Sequence, residues 1–282
     1  MPSPRTALIT GASSGFGQLT TVTLASRGWQ VLATMRDLNR REKLEAAAKN
    51  TGVLDRIEFH ALDVTNAGQI AVLAAMVSER PDPLNALVNN AGFAMAGFAD
   101  DVTDAELRLQ FDTNFFGAAA VTRAFLPQFR RQRSGHIVMV SSISGRSGFA
   151  GVSSYAASKF ALEGWSESLR FEFKPLGINV VLVEPGSFET DIWTRNATIS
   201  TRTQDAESPN AARIARFRKG VESSGERPNP QLVADGIVAI LENPQPKLRY
   251  VFGNDAKMAL LMRRLLPFSL YERIMMKAGG VE

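Results

Sequence analysis

Short apolar runs alternate with longer amphipathic stretches along most of the chain. The runs at residues 7–10, 30–34, 57–62, 86–89, 136–141, 179–184 and 249–252 are rich in Val, Ile and Leu and lack strict polar–apolar alternation. Runs of that kind suit strands buried on both faces. Between them, apolar positions recur at helical spacing near 16–27, 39–49, 67–79, 103–131, 154–174 and 230–242. Thr103 and Glu106 have capping-box spacing at the start of the fourth helix. Repeated strand–helix alternation predicts an α/β fold, a doubly wound parallel seven-stranded sheet with right-handed crossovers. No linker or internal repeat interrupts it, so a single domain is expected over residues 1–255.

Two stretches depart from the alternation. Residues 187–229 are polar and rich in Ser, Thr, Asn, Arg and Pro. They follow the sixth strand and so leave the carboxyl edge of the sheet, where ligands bind in such folds. A loop this long is expected to be functional, here a substrate lid with some helix of its own. Residues 256–282 form an apolar and basic tail. It could lie on a membrane surface, cover the pocket or join a subunit contact.

Composition narrows the chemistry. The 282 residues carry a net charge of +4 and include no Cys and two His, His60 and His136. Thiolate chemistry and disulfides are excluded, and no zinc site is expected. Basic residues are spread along the chain rather than gathered on one face with aromatic platforms, which argues against a nucleic-acid partner. No apolar stretch reaches the ~20 residues of a spanning helix, and no signal-peptide pattern opens the chain. The expected location is the cytoplasm. Catalysis would use hydroxyls, amines, carboxylates or a bound cofactor.

Residues 10–17, Thr-Gly-Ala-Ser-Ser-Gly-Phe-Gly, follow the first strand and open the first helix. Gly11, Gly15 and Gly17 permit a tight turn and close backbone approach, and the helix N-terminus favours a pyrophosphate. Ser13, Ser14 and Phe16 belong to the same turn. The second strand ends in Met35 and Arg36 rather than in the carboxylate that would hold the ribose 2′-OH of NAD. An arginine there accommodates a 2′-phosphate, so NADP(H) is expected over NAD(H). Further along, Tyr155 and Lys159 stand four residues apart, one turn on a helix face. A nearby ammonium favours the phenolate, so Lys159 is expected to lower the pKa of Tyr155 toward working pH.

Taken in order, residues 10–17, Asp63-Val64, Asn89-Asn90-Ala91-Gly92, Asn114, Ser141-Ser142, Tyr155-x3-Lys159 and Pro185-Gly186-x3-Thr190 resemble the short-chain dehydrogenase/reductase family, in its compact one-domain branch. The resemblance covers roughly residues 5–195 and implies a Rossmann fold. It implies that Tyr155 is the general acid in carbonyl reduction and that Lys159 holds the nicotinamide ribose. Ser142 would bond the substrate oxygen, and Asn114 would hold a water linking Lys159 to solvent. Asp63 would bond the adenine amino group, with Val64 beside it. Asn90, Ala91 and Gly92 would line the adenosine side. Pro185, Gly186 and Thr190 would hold the nicotinamide.

Residues 31–37 look like those of the hydroxysteroid and retinol dehydrogenase group, so a bulky apolar alcohol or carbonyl compound is the expected substrate. Phe93, Met95, Phe149, Val152, Phe188 and Trp193 are candidates for its pocket. Family members often pair through the helices near 103–131 and 154–174, which implies a homodimer or homotetramer. The alternative reading is a catalytically silent NADP-binding regulator.

Overall fold

A computed structural model describes residues 4–190, 192, 197–205, 207–222 and 227–279. Its strands are β1 (Thr6–Ile9), β2 (Gln30–Met35), β3 (Ile57–Ala61), β4 (Leu84–Asn89), β5 (Ala94–Ala96), β6 (Gly135–Val140), β7 (Ile178–Pro185), β8 (Ala197–Ile199) and β9 (Arg249–Phe252). Seven form one parallel sheet in the order β3-β2-β1-β4-β6-β7-β9. The chain runs outward from β1 to β3, then returns to the other side of β1 as β4. That reversal opens a crevice at the carboxyl ends of β1 and β4. The architecture is the expected doubly wound α/β sheet.

Successive strand residues face opposite layers. Ala7 and Ile9 of β1, with Val31 and Ala33 of β2, join one core containing Leu24 and Ala25 of α1 (Gly15–Ser26). Leu44 of α2 (Glu42–Asn50) belongs to that core as well. Leu8 and Leu32 face the other core, with Leu73 of α3 (Ala67–Ser78).

The helix expected over 103–131 is three pieces. The capping box of Thr103 and Glu106 opens α4 (Asp104–Phe111). A π-helical turn, Asp112–Gly117, follows, and then α5 (Ala118–Gln132). The wide turn brings Gly117 onto Val64, where a Cβ would fall 2.7 Å from Val64 Cγ2. Helical periodicity runs through such a turn, so spacing alone does not show it. Phe125 and Phe129 anchor α5 in the second core, 1% and 0% exposed. Truncating either to alanine would cost ~3–5 kcal/mol.

Described residues of the 187–229 segment are held by the chain opposite them. β8 pairs in parallel with β5, two three-residue strands too short to read from sequence. Buried Asp101 accepts from Thr203 Oγ1, Ser208 Oγ and Asn210 Nδ2. Helix α7 (Ala211–Glu222) follows, and then α8 (Gln231–Glu242) packs against α1.

The tail is two helices, α9 (Asn254–Leu265) and α10 (Phe268–Ala278), parted at Pro267. The boundary expected at 255/256 falls inside α9. Ala256 and Ala259 pack on Ile143, and the Tyr271 hydroxyl meets Ser147 Oγ. The tail is therefore docked on the loop after β6. No described helix is long and apolar enough to cross a membrane.

Candidate active site

The crevice at the ends of β1, β2 and β4 encloses about 320 Å³. Gly11, Ser13, Ser14, Gly15 and Phe16 form one wall. Gly11 and Gly15 have φ of 67° and 55°, the left-handed region open to glycine. A Cβ on Gly11 would fall 2.8 Å from Ala91 Cα. One on Gly17 would strike Asn90 Nδ2 and lie 2.5 Å from the Gly11 carbonyl oxygen. Gly17 does not line the crevice; its bareness lets α1 close onto the turn. Gly17→Ala is therefore expected to displace the turn and weaken cofactor binding at least ~10-fold, checked by fluorescence titration with NADPH.

The first turn of α1 has no acidic residue, and the Ser14 side chain does not cap it. Its N–H groups and dipole favour an anion. Asn90 is less free than the sequence reading implies. Its Nδ2 donates to the carbonyls of Thr10 and Gly11 at 2.9 and 3.0 Å. The backbone N–H groups of Asn90 and Ala91 both donate to Thr10 Oγ1 at 3.0 Å. Asn90 thus locks the end of β4 to the turn, while Ala91 and Gly92 line the crevice with it.

At the far end, Met35, Arg36, Asp37 and Arg40 line the crevice. Asp37 accepts from Asn39 N at 2.9 Å and so caps the following turn. Two guanidinium groups therefore border this end. Arg40 was not apparent from sequence; the signal is its place four residues after Arg36.

Leu62 and Val64 line the crevice, whereas Asp63 between them does not. Asp63 Oδ1 accepts from the Thr65 N–H and hydroxyl at 2.9 and 2.7 Å, and Asn66 rather than Asp63 caps α3. Asp63 shapes the turn that presents its neighbours.

A smaller cavity of about 70 Å³ shares Phe16, Asn90, Gly92, Phe93, Thr190 and Ile192 with the crevice. It is closed by Ser142, Tyr155, Lys159, Pro185, Gly186 and Phe188. Gly186 is pressed against Asp255, where any Cβ would collide, and Asp255 Oδ2 accepts from Ser187 N at 2.7 Å. The tail helix thus supports the wall containing Thr190.

Tyr155 and Lys159 lie on α6 (Ser153–Phe173), both buried. The Tyr155 hydroxyl faces Ser142, at the end of β6, which favours the phenolate. Ser142 Oγ also accepts from Ser144 N at 3.1 Å. Burial pushes Tyr155 up to about 12, against the Ser142 hydrogen bond. Burial pulls Lys159 down to about 8, against the attraction of Glu163. The expectation that Lys159 lowers the Tyr155 pKa is therefore corrected for this arrangement. The Lys159 Nζ lies 5.8 Å from the centre of the Tyr155 ring and donates to the Val140 carbonyl at 2.8 Å. Loss of solvent is the largest influence on both groups.

Asn114, in the π-helical turn, is 1% exposed. Its Oδ1 accepts from Phe93 N at 3.1 Å, and its Nδ2 donates to Phe93 O at 3.0 Å and Ser158 Oγ at 3.3 Å. Ser158 Oγ donates to Tyr155 O at 2.7 Å. The side chain thus reaches out of its own helix to the strand end and to α6. A Cβ on Gly92 would lie 3.1 Å from Asn114 Oδ1 and 3.8 Å from Lys159 Nζ, so the bare glycine lets the two approach.

Phe93 lines both cavities and Phe188 the smaller one. Phe149 and Val152 pack with Tyr155. Met95, fully enclosed, belongs to the core rather than the pocket. Trp193 lies outside the described residues. No group of three or more metal-binding side chains occurs among the described residues.

The sequence model of a family described as short chain dehydrogenase matches residues 5–199. The chain belongs to the short-chain dehydrogenases. This short-chain dehydrogenase is 42% identical over 273 residues to the uncharacterized oxidoreductase YusZ of Bacillus subtilis, covering 96% of this chain and 97% of that one. It is 38% identical to human retinol dehydrogenase 8, covering 88% and 81%. A solved short-chain dehydrogenase from Streptomyces avermitilis superposes with a TM-score of 0.82 at 36% identity, covering 96% and 98%. More distant structures differ in cofactor. One from Sphingobium yanoikuyae (25% identity, TM-score 0.71, covering 92% and 93%) is in complex with NADPH. One from Burkholderia phymatum (24%, 0.77, covering 93% and 93%) is in complex with NAD.

Proposed function

We propose that the chain is an NADP(H)-dependent oxidoreductase that interconverts an alcohol and a carbonyl compound, with a bulky apolar substrate. The observation that carries this reading is the Tyr155–Ser142 hydroxyl pair, backed by Lys159, in a small cavity opening into the glycine-walled crevice. The crevice suits a dinucleotide: bare glycines and a helix N-terminus at its middle, two arginines at one end and two hydroxyls at the other. Gly11, Ser13, Ser14, Gly15 and Phe16 would hold the pyrophosphate, and Arg36 with Arg40 the 2′-phosphate. Pro185, Gly186 and Thr190 would hold the nicotinamide, and Lys159 its ribose.

The cofactor, when bound, supplies or accepts a hydride. In reduction, negative charge then grows on the substrate oxygen. Ser142 and Tyr155 would both donate to that oxygen, stabilising charge where it develops. A Tyr155 held neutral to about 12 keeps its proton until the oxygen's rising basicity draws it off. Lys159, with Asn114 behind it, would carry the proton replacement from solvent. Reversal of the same steps oxidises an alcohol.

Phe93 and Phe188 on the small cavity, with Phe149 packed beside Tyr155, support an apolar substrate, as does the resemblance to retinol dehydrogenase 8. The segment 187–229 would act as its lid, anchored through Asp101 and the β5–β8 pairing. Phe116 and Phe171, 56% and 71% exposed on the π-helical turn and α6, favour pairing of two copies. Met258, Leu261 and Leu265 on one face of α9, with Lys257 and Arg264 near them, would suit a lipid surface.

The test follows NADPH absorbance with a panel of aliphatic, aromatic and steroid-sized carbonyl compounds. Consumption that depends on carbonyl and is faster for the bulky apolar ones is expected. Tight NADPH binding with no consumption across the panel would favour the silent regulator instead.

A further inference from the structure

The catalytic face of α6 continues into buried charge. Glu163 stands one turn beyond Lys159 and is 4% exposed. Its Oε2 accepts from Arg249 Nε of β9 at 3.0 Å. The same Nε lies 3.2 Å from Oε1 of Glu184, on β7 beside Pro185. Arg249 Nη2 donates to Glu167 Oε2 at 2.6 Å. Glu184, whose side chain is wholly enclosed, also faces Arg146 Nη1 at 3.2 Å, from the loop after β6.

That loop closes onto Glu163. A Cβ on Gly145 would lie 2.9 Å from Glu163 Cγ and 2.7 Å from Ser141 Oγ. The Ser141 hydroxyl faces Glu163. Neither Ser141 Oγ nor Glu163 Oε1 completes a hydrogen bond of good geometry. Burial pushes the Glu163 carboxyl up, while Ser141 and Arg249 favour its charged form.

Lys159 has Tyr155 and Glu163 one turn away on either side on α6. Around Glu163 stand Glu167 from α6, Glu184 from β7, Arg249 from β9 and Arg146 from the loop after β6. Among them, Glu163 is the one whose charge draws Lys159 back toward protonation against burial. A buried ammonium lacking such a partner sheds its proton.

We propose that Glu163 is a positioning residue for the reaction: its carboxylate, locked between Arg249 and the Ser141–Gly145 loop, keeps the Lys159 ammonium charged inside the protein. The inference gives the assigned role of Lys159 in the oxidoreductase reading its physical support. Arg249 ties the carboxylate at once to α6 and β7, so its position is shared with the wall that ends in Pro185.

The test is a side-chain 13C NMR titration of lysine in cofactor-free protein, with the Lys159 signal assigned by its loss in Lys159→Arg. In the wild-type protein Lys159 should titrate at about 8. Glu163→Gln should move that midpoint down by roughly one unit or more. Glu163→Asp, which withdraws the carboxylate by one methylene, should give a smaller shift in the same direction. Glu184→Gln should leave the midpoint in place. In the active enzyme, the alkaline limb of ketone reduction should move with the Glu163→Gln midpoint. An unmoved Lys159 midpoint in Glu163→Gln and Glu163→Asp overturns the proposal. A shift as large in Glu184→Gln also overturns it, assigning the effect to the whole charge group. The titration needs neither cofactor nor substrate. A protein that reduces no carbonyl compound therefore fails the functional reading alone.

Discussion

Tyr155→Phe is expected to lower the rate of carbonyl reduction by roughly 10²–10⁴-fold, the range of a positioned proton donor. The substitution removes one oxygen from a side chain that is 3% exposed and leaves the ring packed on Ala94 and Val152. Folding stability should fall by only about 1 kcal/mol, the size of one lost hydrogen bond. NADPH affinity should be nearly unchanged, because Tyr155 lines the smaller cavity and not the crevice. Lys159→Met should behave differently, weakening both turnover and cofactor binding, since the reading assigns it the ribose as well. The measurements are steady-state kinetics beside fluorescence titration of NADPH for both variants. Turnover retained in Tyr155→Phe would remove the phenol from the chemistry and with it the proposed mechanism.

The second large effect concerns the two arginines at the crevice end. Each hydrogen bond to a charged group contributes roughly 1.5–3 kcal/mol, or about 10–100-fold in affinity. Arg36→Ala and Arg40→Ala should each raise the Kd for NADPH by that factor, and the double variant by more than either. NADH carries no 2′-phosphate, so its Kd should move little. Asp37 limits the gain elsewhere, because its carboxylate is committed to Asn39 N. Equal losses for NADPH and NADH would show that the arginines hold the crevice open rather than reading the phosphate.

Much of the fold was legible because strand burial and helix periodicity are local records of a layered sheet. All seven sheet strands overlap the short runs read from the sequence, and Thr103 and Glu106 marked their helix start. Asp63 shows the limit. Its position in the motif is plain, but whether its oxygens face a ligand or Thr65 depends on the turn it makes. Asn90 is similar: motif order places it at the crevice, whereas packing spends its amide on Thr10 and Gly11. Arg40 and Glu163 stand four residues after Arg36 and Lys159, a spacing that any helical or turn surface shares, and Arg249 left no pattern, since its partners are distant in sequence.

The amino-acid sequence by itself determined the parallel sheet, the glycine turn and the Tyr155–Lys159 spacing. The turn and the spacing depend on residues within one or two turns, where chain geometry sets who can be neighbours, and the sheet on the alternation of strand and helix along the chain. The tertiary structure alone decided how those groups are charged. Burial raises Tyr155 and lowers Lys159, and Glu163 opposes the second shift. Desolvation depends on everything packed around a group, and β6, β7 and β9 bring that surrounding from residues far along the chain.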